Sequence, residues 1–157
     1  MKKNTSTGMI VSAVIVFFMA MPLFAQQPPG IAFIDELSRK SEATLGDAVQ
    51  FFVMIKGERS RGFGPDLQIL QTADLLDDRE YTADETLKRG EVAFIAARLL
   101  ELDDSLLYNI FENRRYAVTA CRAAGIMHGF SGENATVSGG ELIDVMTLVS
   151  EKMEGGI

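Results

Sequence analysis

One histidine, His128, and one cysteine, Cys121, occur among the 157 residues. A Ser-His-Asp triad or a multi-histidine metal centre would have to be assembled around that single imidazole. His128 stands beside Gly129 with no second histidine and no nearby cysteine, so it reads as a polar turn residue. Cys121 lies in the helical run Ala117–Ala124 and reads as a small buried apolar side chain. Glu80 to Glu91 has the length of a calcium loop, with Asp84, Leu87 and Glu91 in suitable places. Glu80 and Thr82 are poor at the first and third positions, and Glu85 replaces the required glycine. The acidic cluster around Asp77, Asp78 and Asp84 therefore reads as a solvated loop. Glu91 and Glu141 could be proposed as a hydrolytic carboxylate pair, but both fall at helix starts, which already accounts for them. Arg89 is a cation in the first turn of a helix, where the dipole disfavours it. A guanidinium there can grip a carboxylate with two parallel bonds, which makes Arg89 a candidate anion ligand. The competing account is a solvated arginine, or one paired with Asp84 or Glu85.

The composition narrows the chemistry further. The chain carries 15 Lys+Arg against 22 Asp+Glu, a formal net charge of -7. Such a chain is a poor partner for nucleic acid, whose binding is driven by Lys and Arg displacing phosphate counterions. Apolar residues make up 47%, enough to build a core and too many for wholesale disorder. No metal or cofactor is expected, and no enzymatic activity.

The N-terminus opens with Lys2 and Lys3, continues through a mostly apolar run from Met9 to Phe24, and reaches Leu23-Phe24-Ala25. That is the order of a secretory signal, with residues 1–25 removed after Ala25. Pro22 and Ser12 interrupt the run, which is short of the roughly 20 apolar residues needed to span a bilayer. No stable membrane span is expected after cleavage. Residues 26–30, Gln-Gln-Pro-Pro-Gly, read as an extended linker, and 31–157 as one helical domain. The expected location is the periplasm or cell envelope.

The elements that must position these residues repeat along the chain. Thr72-Ala73-Asp74-Leu75-Leu76 aligns with Arg122-Ala123-Ala124-Gly125-Ile126 at an offset of 50, and Thr86 to Val92 aligns with Thr136 to Leu142 at the same offset. A partial third copy, Thr44 to Val49, matches Lys88 to Ala93 at an offset of 44. The shared element is a polar residue followed three positions later by an acid, which is the spacing of a capping box. Thr44 with Asp47, and Ser138 with Glu141, complete it; Lys88 breaks it. Long helices are predicted to begin near Thr44, Lys88 and Ser138. Their apolar stripes are Leu45, Ala48, Val49, Phe52 and Ile55, then Val92, Ile95, Leu99 and Leu102, then Leu142, Val145, Met146, Val149 and Met153. Shorter helices are predicted near 66–76 and 116–125, with Pro65-Asp66 as a start and Arg114-Arg115 as a linker charge pair. A further amphipathic helix is predicted over Ser105 to Asn113. No stretch of the domain alternates with a period of two, so the expected class is all-α: short-helix/loop/long-helix units, two clear and one degenerate.

Leu87-Lys88-Arg89-Gly90-Glu91-Val92-Ala93 resembles the TRAE motif that opens the long helix of a surface-layer homology (SLH) repeat. Ala123-Ala124-Gly125-Ile126-Met127-His128-Gly129 resembles the stretch that ends the short helix of such repeats. The resemblance covers about residues 44–153. It implies a non-catalytic module that attaches to a cell-wall polymer. It also implies that Arg89 and the loop residue Gly129 are the polymer contacts, with Leu45 and Gly139 at the positions equivalent to Arg89. The expected function is thus that of an exported envelope protein binding a wall polymer. The alternative is a periplasmic adaptor that kept the repeat fold, lost wall binding and holds another envelope protein.

Overall fold

A computed structural model describes residues 29–102 and 112–155. The described residues form six helices: α1 (Pro29–Ser38), α2 (Leu45–Ile55), α3 (Phe63–Thr72), α4 (Arg89–Leu99), α5 (Arg114–Ala123) and α6 (Gly139–Gly155). The fold is all-α, and among these residues no helix is long and apolar enough to cross a membrane. Most of the helix predicted over Ser105 to Asn113 lies outside the described residues.

Two starts differ from expectation for local reasons. Helix α1 begins at Pro29, so the last two residues of the expected linker belong to a helix. Proline suits that place because its fixed φ is helical and its missing N–H would be unpaired there anyway. Helix α3 begins at Phe63, two residues before Pro65, after Gly62 at φ +98°. Asp66 does not cap that helix. It is 1% exposed and folds the preceding loop inward, accepting from the Ser60 hydroxyl at 2.5 Å and the Arg61 N–H at 2.9 Å.

The three long helices start as their polar-x-x-acid spacing demands, each in its own way. Thr44 and Asp47 exchange both bonds of a capping box, at 3.3 and 2.9 Å. At α4 the Glu91 carboxylate accepts from the Lys88 N–H at 3.1 Å, while an ammonium has no lone pair with which to return the bond. At α6 the Ser138 hydroxyl accepts from the Glu141 N–H at 3.1 Å.

Just before each cap sits a fully buried residue: Ala43, Leu87 and Val137. Their backbones close a three-membered ring. Ala43 N–H donates to Val137 O at 2.7 Å, Leu87 N–H to Ala43 O at 3.0 Å, and Val137 N–H to Leu87 O at 3.1 Å. The spacings between these residues are the 44 and 50 seen in the sequence. The next residues extend the pattern. Leu45 N–H donates to Glu85 O and Gly46 N–H to Ala83 O, while Arg89 N–H donates to Ala135 O and Gly90 N–H to Glu133 O, all at 2.8 to 2.9 Å. The orphan donors of these helix starts are thus satisfied by the loop that precedes the next long helix.

Packing pairs the helices across units. Helix α3 packs on α2, α5 on α4, and α1 on α6. Of the short helices, α3 and α5 lie against the long helix before them, and α1, with none before it among the described residues, packs on the last. Helix α4 runs through the middle, buried at every residue from Arg89 to Ala97. The predicted stripes face the core, led by Phe52, Ile95, Leu142 and Met146. Met153 is the exception, at 41% exposed near the end of α6.

Candidate functional site

The two candidate polymer contacts meet at the junction between α4 and the loop before α6. Arg89 is the first residue of α4, and its guanidinium crosses to the following unit. One Nη donates to the His128 carbonyl at 2.6 Å, and the other pairs with the Glu141 carboxylate. His128 precedes Gly129, which turns the chain at φ +80°. After the turn, the Phe130 side chain stands fully in solvent. Among the described residues, two of the three large exposed hydrophobics, Ile31 and Met153, lie on helices, and Phe130 is in a loop. The loop is tied down again at Ser131, whose carbonyl accepts from an Arg122 Nη.

Arg89 itself is not an open anion grip. It is 5% exposed, and its own N–H and that of Gly90 are already bonded to Ala135 and Glu133 carbonyls. Neither the solvated arginine nor a pairing with Asp84 or Glu85 describes it; its partner is Glu141, 52 residues on. Its Nε is buried with no hydrogen-bond partner among the described residues. The exposed parts of this junction are His128, Gly129, Phe130 and, at 31% side-chain exposure, Glu141.

The positions equivalent to Arg89 are closed differently. Leu45 is fully buried. Gly139 sits under the end of α1, where a Cβ would lie 1.7 Å from the Leu37 carbonyl oxygen, and its N–H donates to Lys40 O at 2.9 Å. Only glycine admits that approach.

Each acid at the third position of a long helix takes one cation. Asp47 takes Lys40 at 2.8 Å, Glu91 takes Arg79 at 2.7 Å, and Glu141 takes Arg89. Glu91 and Glu141 therefore sit in separate ion pairs rather than facing one another as a hydrolytic couple.

The acidic loop before α4 is organised by arginines, which its reading as a solvated loop did not foresee. Arg79 bonds Glu85 at 3.0 Å as well as Glu91, and its guanidinium lies 3.9 Å from the Tyr81 ring centroid. Arg114 bonds Asp77 at 2.9 Å and the Tyr81 hydroxyl at 3.1 Å, so it locks α5 to this loop and is no linker charge. The Tyr81 hydroxyl donates in turn to Asp77. Burial alone would raise the Asp77 pKa, but the bonds from Tyr81 and Arg114 and the two nearby guanidinium charges outweigh it and hold the carboxyl below its ordinary value. Burial and the bond to Asp77 push the Tyr81 phenol up to about 12. Burial likewise pushes the Cys121 thiol up to about 12, away from nucleophilic use, with its Sγ 3.4 Å from the Ala93 carbonyl. Among the described residues no three His, Cys, Asp or Glu side chains converge as a metal site would require. Compared with known protein families, with curated proteins and with solved structures, the chain matches none.

Proposed function

We propose that the chain is a non-catalytic, exported cell-envelope protein that binds a cell-wall polymer through an SLH-like helical domain. The observation that carries this reading is the meeting of Arg89 with the Gly129 loop: a buried guanidinium holds the His128 carbonyl, and the fully exposed Phe130 follows it. Phe130 presents a bare aromatic face on a loop pinned at both sides, and loops so held are where binding residues concentrate. An aromatic face suits the C–H surface of a saccharide ring. In this reading Gly129 and Phe130 touch the polymer, and Arg89 is a positioning residue behind them. The residue types at this junction support binding over turnover, because the local carboxylate, Glu141, is spent on Arg89.

The test is co-sedimentation with purified peptidoglycan sacculi, with and without their attached secondary polymers. The wild type should pellet, and Phe130→Ala should release it while leaving the thermal midpoint unchanged. A wild type that stays in the supernatant refutes wall binding, and capture of a single envelope protein on the same face would establish the adaptor role instead.

A further inference from the structure

We infer that the groove between the end of α2 and the face of α3 is a second binding site, for a saccharide unit bearing a phosphate or carboxylate. The chain is acidic overall, and Arg79, Arg89, Arg98 and Arg114 are all held by carboxylates. Lys56, Arg59 and Arg61 are three cations within six residues, and, like Lys88, Arg115 and Lys152, their side chains make no ion pair or hydrogen bond among the described residues. Lys56 and Arg61 line a groove of about 470 Å³. Glu58 also lines it, and the rest of the wall is Pro65, Gln68, Ile69, Thr72 and Ala73. Arg59 lines the adjoining depression on the other side of the same loop.

Two features make this more than a charged surface. The loop is held rigid from beneath: the buried Asp66 accepts from Ser60 and from the Arg61 N–H, and Glu58 N–H donates to Val53 O at 3.1 Å. The cations are therefore presented on a fixed backbone, which lowers the ordering cost of binding. The groove also mixes chemistries in the way a sugar requires. Gln68 and Thr72, one turn apart, offer neutral hydrogen bonds to hydroxyls, Pro65 offers an apolar face, and Lys56 with Arg61 offers charge to an anionic substituent. The site lies on α2 and α3, away from the Arg89–Gly129 junction, so it does not rest on the wall-binding reading.

The probe is N-acetylglucosamine 1-phosphate titrated into isotope-labelled protein, followed by amide chemical shifts. Shifts should concentrate in residues 56–61 and 65–73, saturate with a millimolar Kd, and weaken at high salt because exposed charges are screened. Neutral N-acetylglucosamine and inorganic phosphate should each bind at least about tenfold more weakly, as each omits one half of the contact. Glucuronate should bind comparably to the sugar phosphate if charge, rather than phosphorus, is read. Lys56→Ser and Arg61→Ser should each weaken the sugar phosphate by about tenfold without changing the far-ultraviolet circular dichroism, since neither side chain holds the fold. Gln68→Ala should weaken the sugar phosphate and leave phosphate alone. Shifts centred elsewhere, equal binding by free phosphate, or insensitivity to both cation variants overturns the inference. Sedimentation with sacculi can fail while this titration succeeds, so the two readings are separable.

Discussion

Replacing Arg89 should unfold the protein more readily, although a polymer-binding arginine on a surface would not. The side chain is 7% exposed and makes two charge-assisted bonds, to the Glu141 carboxylate and the His128 carbonyl. Hydrogen bonds to charged groups are worth about 1.5–3 kcal/mol each, and breaking a buried pair costs about 3–5 kcal/mol. Glu141 is 31% exposed and can recover water once its partner is gone, so Arg89→Ala should fall at the low end, about 3 kcal/mol. Arg89→Met, which keeps the apolar stem, should cost about 2 kcal/mol. The burial asymmetry gives a sharper test. Glu141→Ala strands the more deeply buried partner, so it should cost more than Arg89→Ala, about 4 kcal/mol. Pairing Glu141→Ala with Arg89→Met should then recover part of that loss. Urea midpoints followed by circular dichroism would measure all four variants. An Arg89→Ala change within about 0.5 kcal/mol of wild type, or strictly additive losses in the double variant, would refute the buried-pair argument.

Gly139→Ala and Gly140→Ala should differ sharply although the residues are neighbours. The first puts a Cβ 1.7 Å from Leu37 O and must push α1 off α6, costing more than about 3 kcal/mol, while the second meets nothing within 4 Å and should be neutral or stabilising. Thermal melts decide, and equal midpoints would mean that α1 does not close on α6. Lys88→Thr should stabilise by about 0.5–1 kcal/mol by supplying the missing hydroxyl of the Glu91 box, and Ser138→Ala should lose about 1 kcal/mol; a loss at Lys88→Thr in urea titration counts against the cap. Tyr81 should titrate near pH 12 rather than its usual value near 10, visible as late tyrosinate absorbance that Tyr81→Phe removes. Because its folded pKa is raised, its contribution is complete below about pH 10 and is lost as pH climbs towards 12, by about 2 kcal/mol. Asp77 runs the other way, its pKa being lowered: its contribution holds above about pH 4 and fades as acid is added. A Tyr81 that titrates with ordinary tyrosines would remove the basis of both.

The starts of the three long helices were legible in the sequence because capping is local. Thr44–Asp47, Lys88–Glu91 and Ser138–Glu141 each lie within four residues, and the bonds they make depend on little else. The apolar stripes were legible for the same reason, their period being set by one helix at a time. Partner choice was not. Nothing near Arg89 in the chain points to Glu141 or to His128, because that contact exists only once α4 has docked on the loop before α6. Arg114 looked like a linker charge for the same reason: its partner Asp77 is 37 residues away. Spacing did hold one further signal. A glycine at position 139, where a neighbouring copy carries Arg89, marks a place where another backbone comes too close for any side chain, and Leu37 is that backbone.

The pairing of helices also determines how the circle closes. Each of α3 and α5 settles on the long helix just before it, so these contacts are more local in sequence than that of α1 with α6. Helix α1 has no predecessor among the described residues and packs on α6, far along the chain, alongside the Gly139–Lys40 and Ala43–Val137 bonds. Closing so long a loop costs conformational entropy before any contact repays it. The open form would lack one side of the Ala43–Leu87–Val137 ring and would bare the α1 face of α6. The contact of α1 with α6 therefore brings Leu37 into the core. It also makes Gly139 a point at which the α1 backbone meets α6 with no room for a side chain.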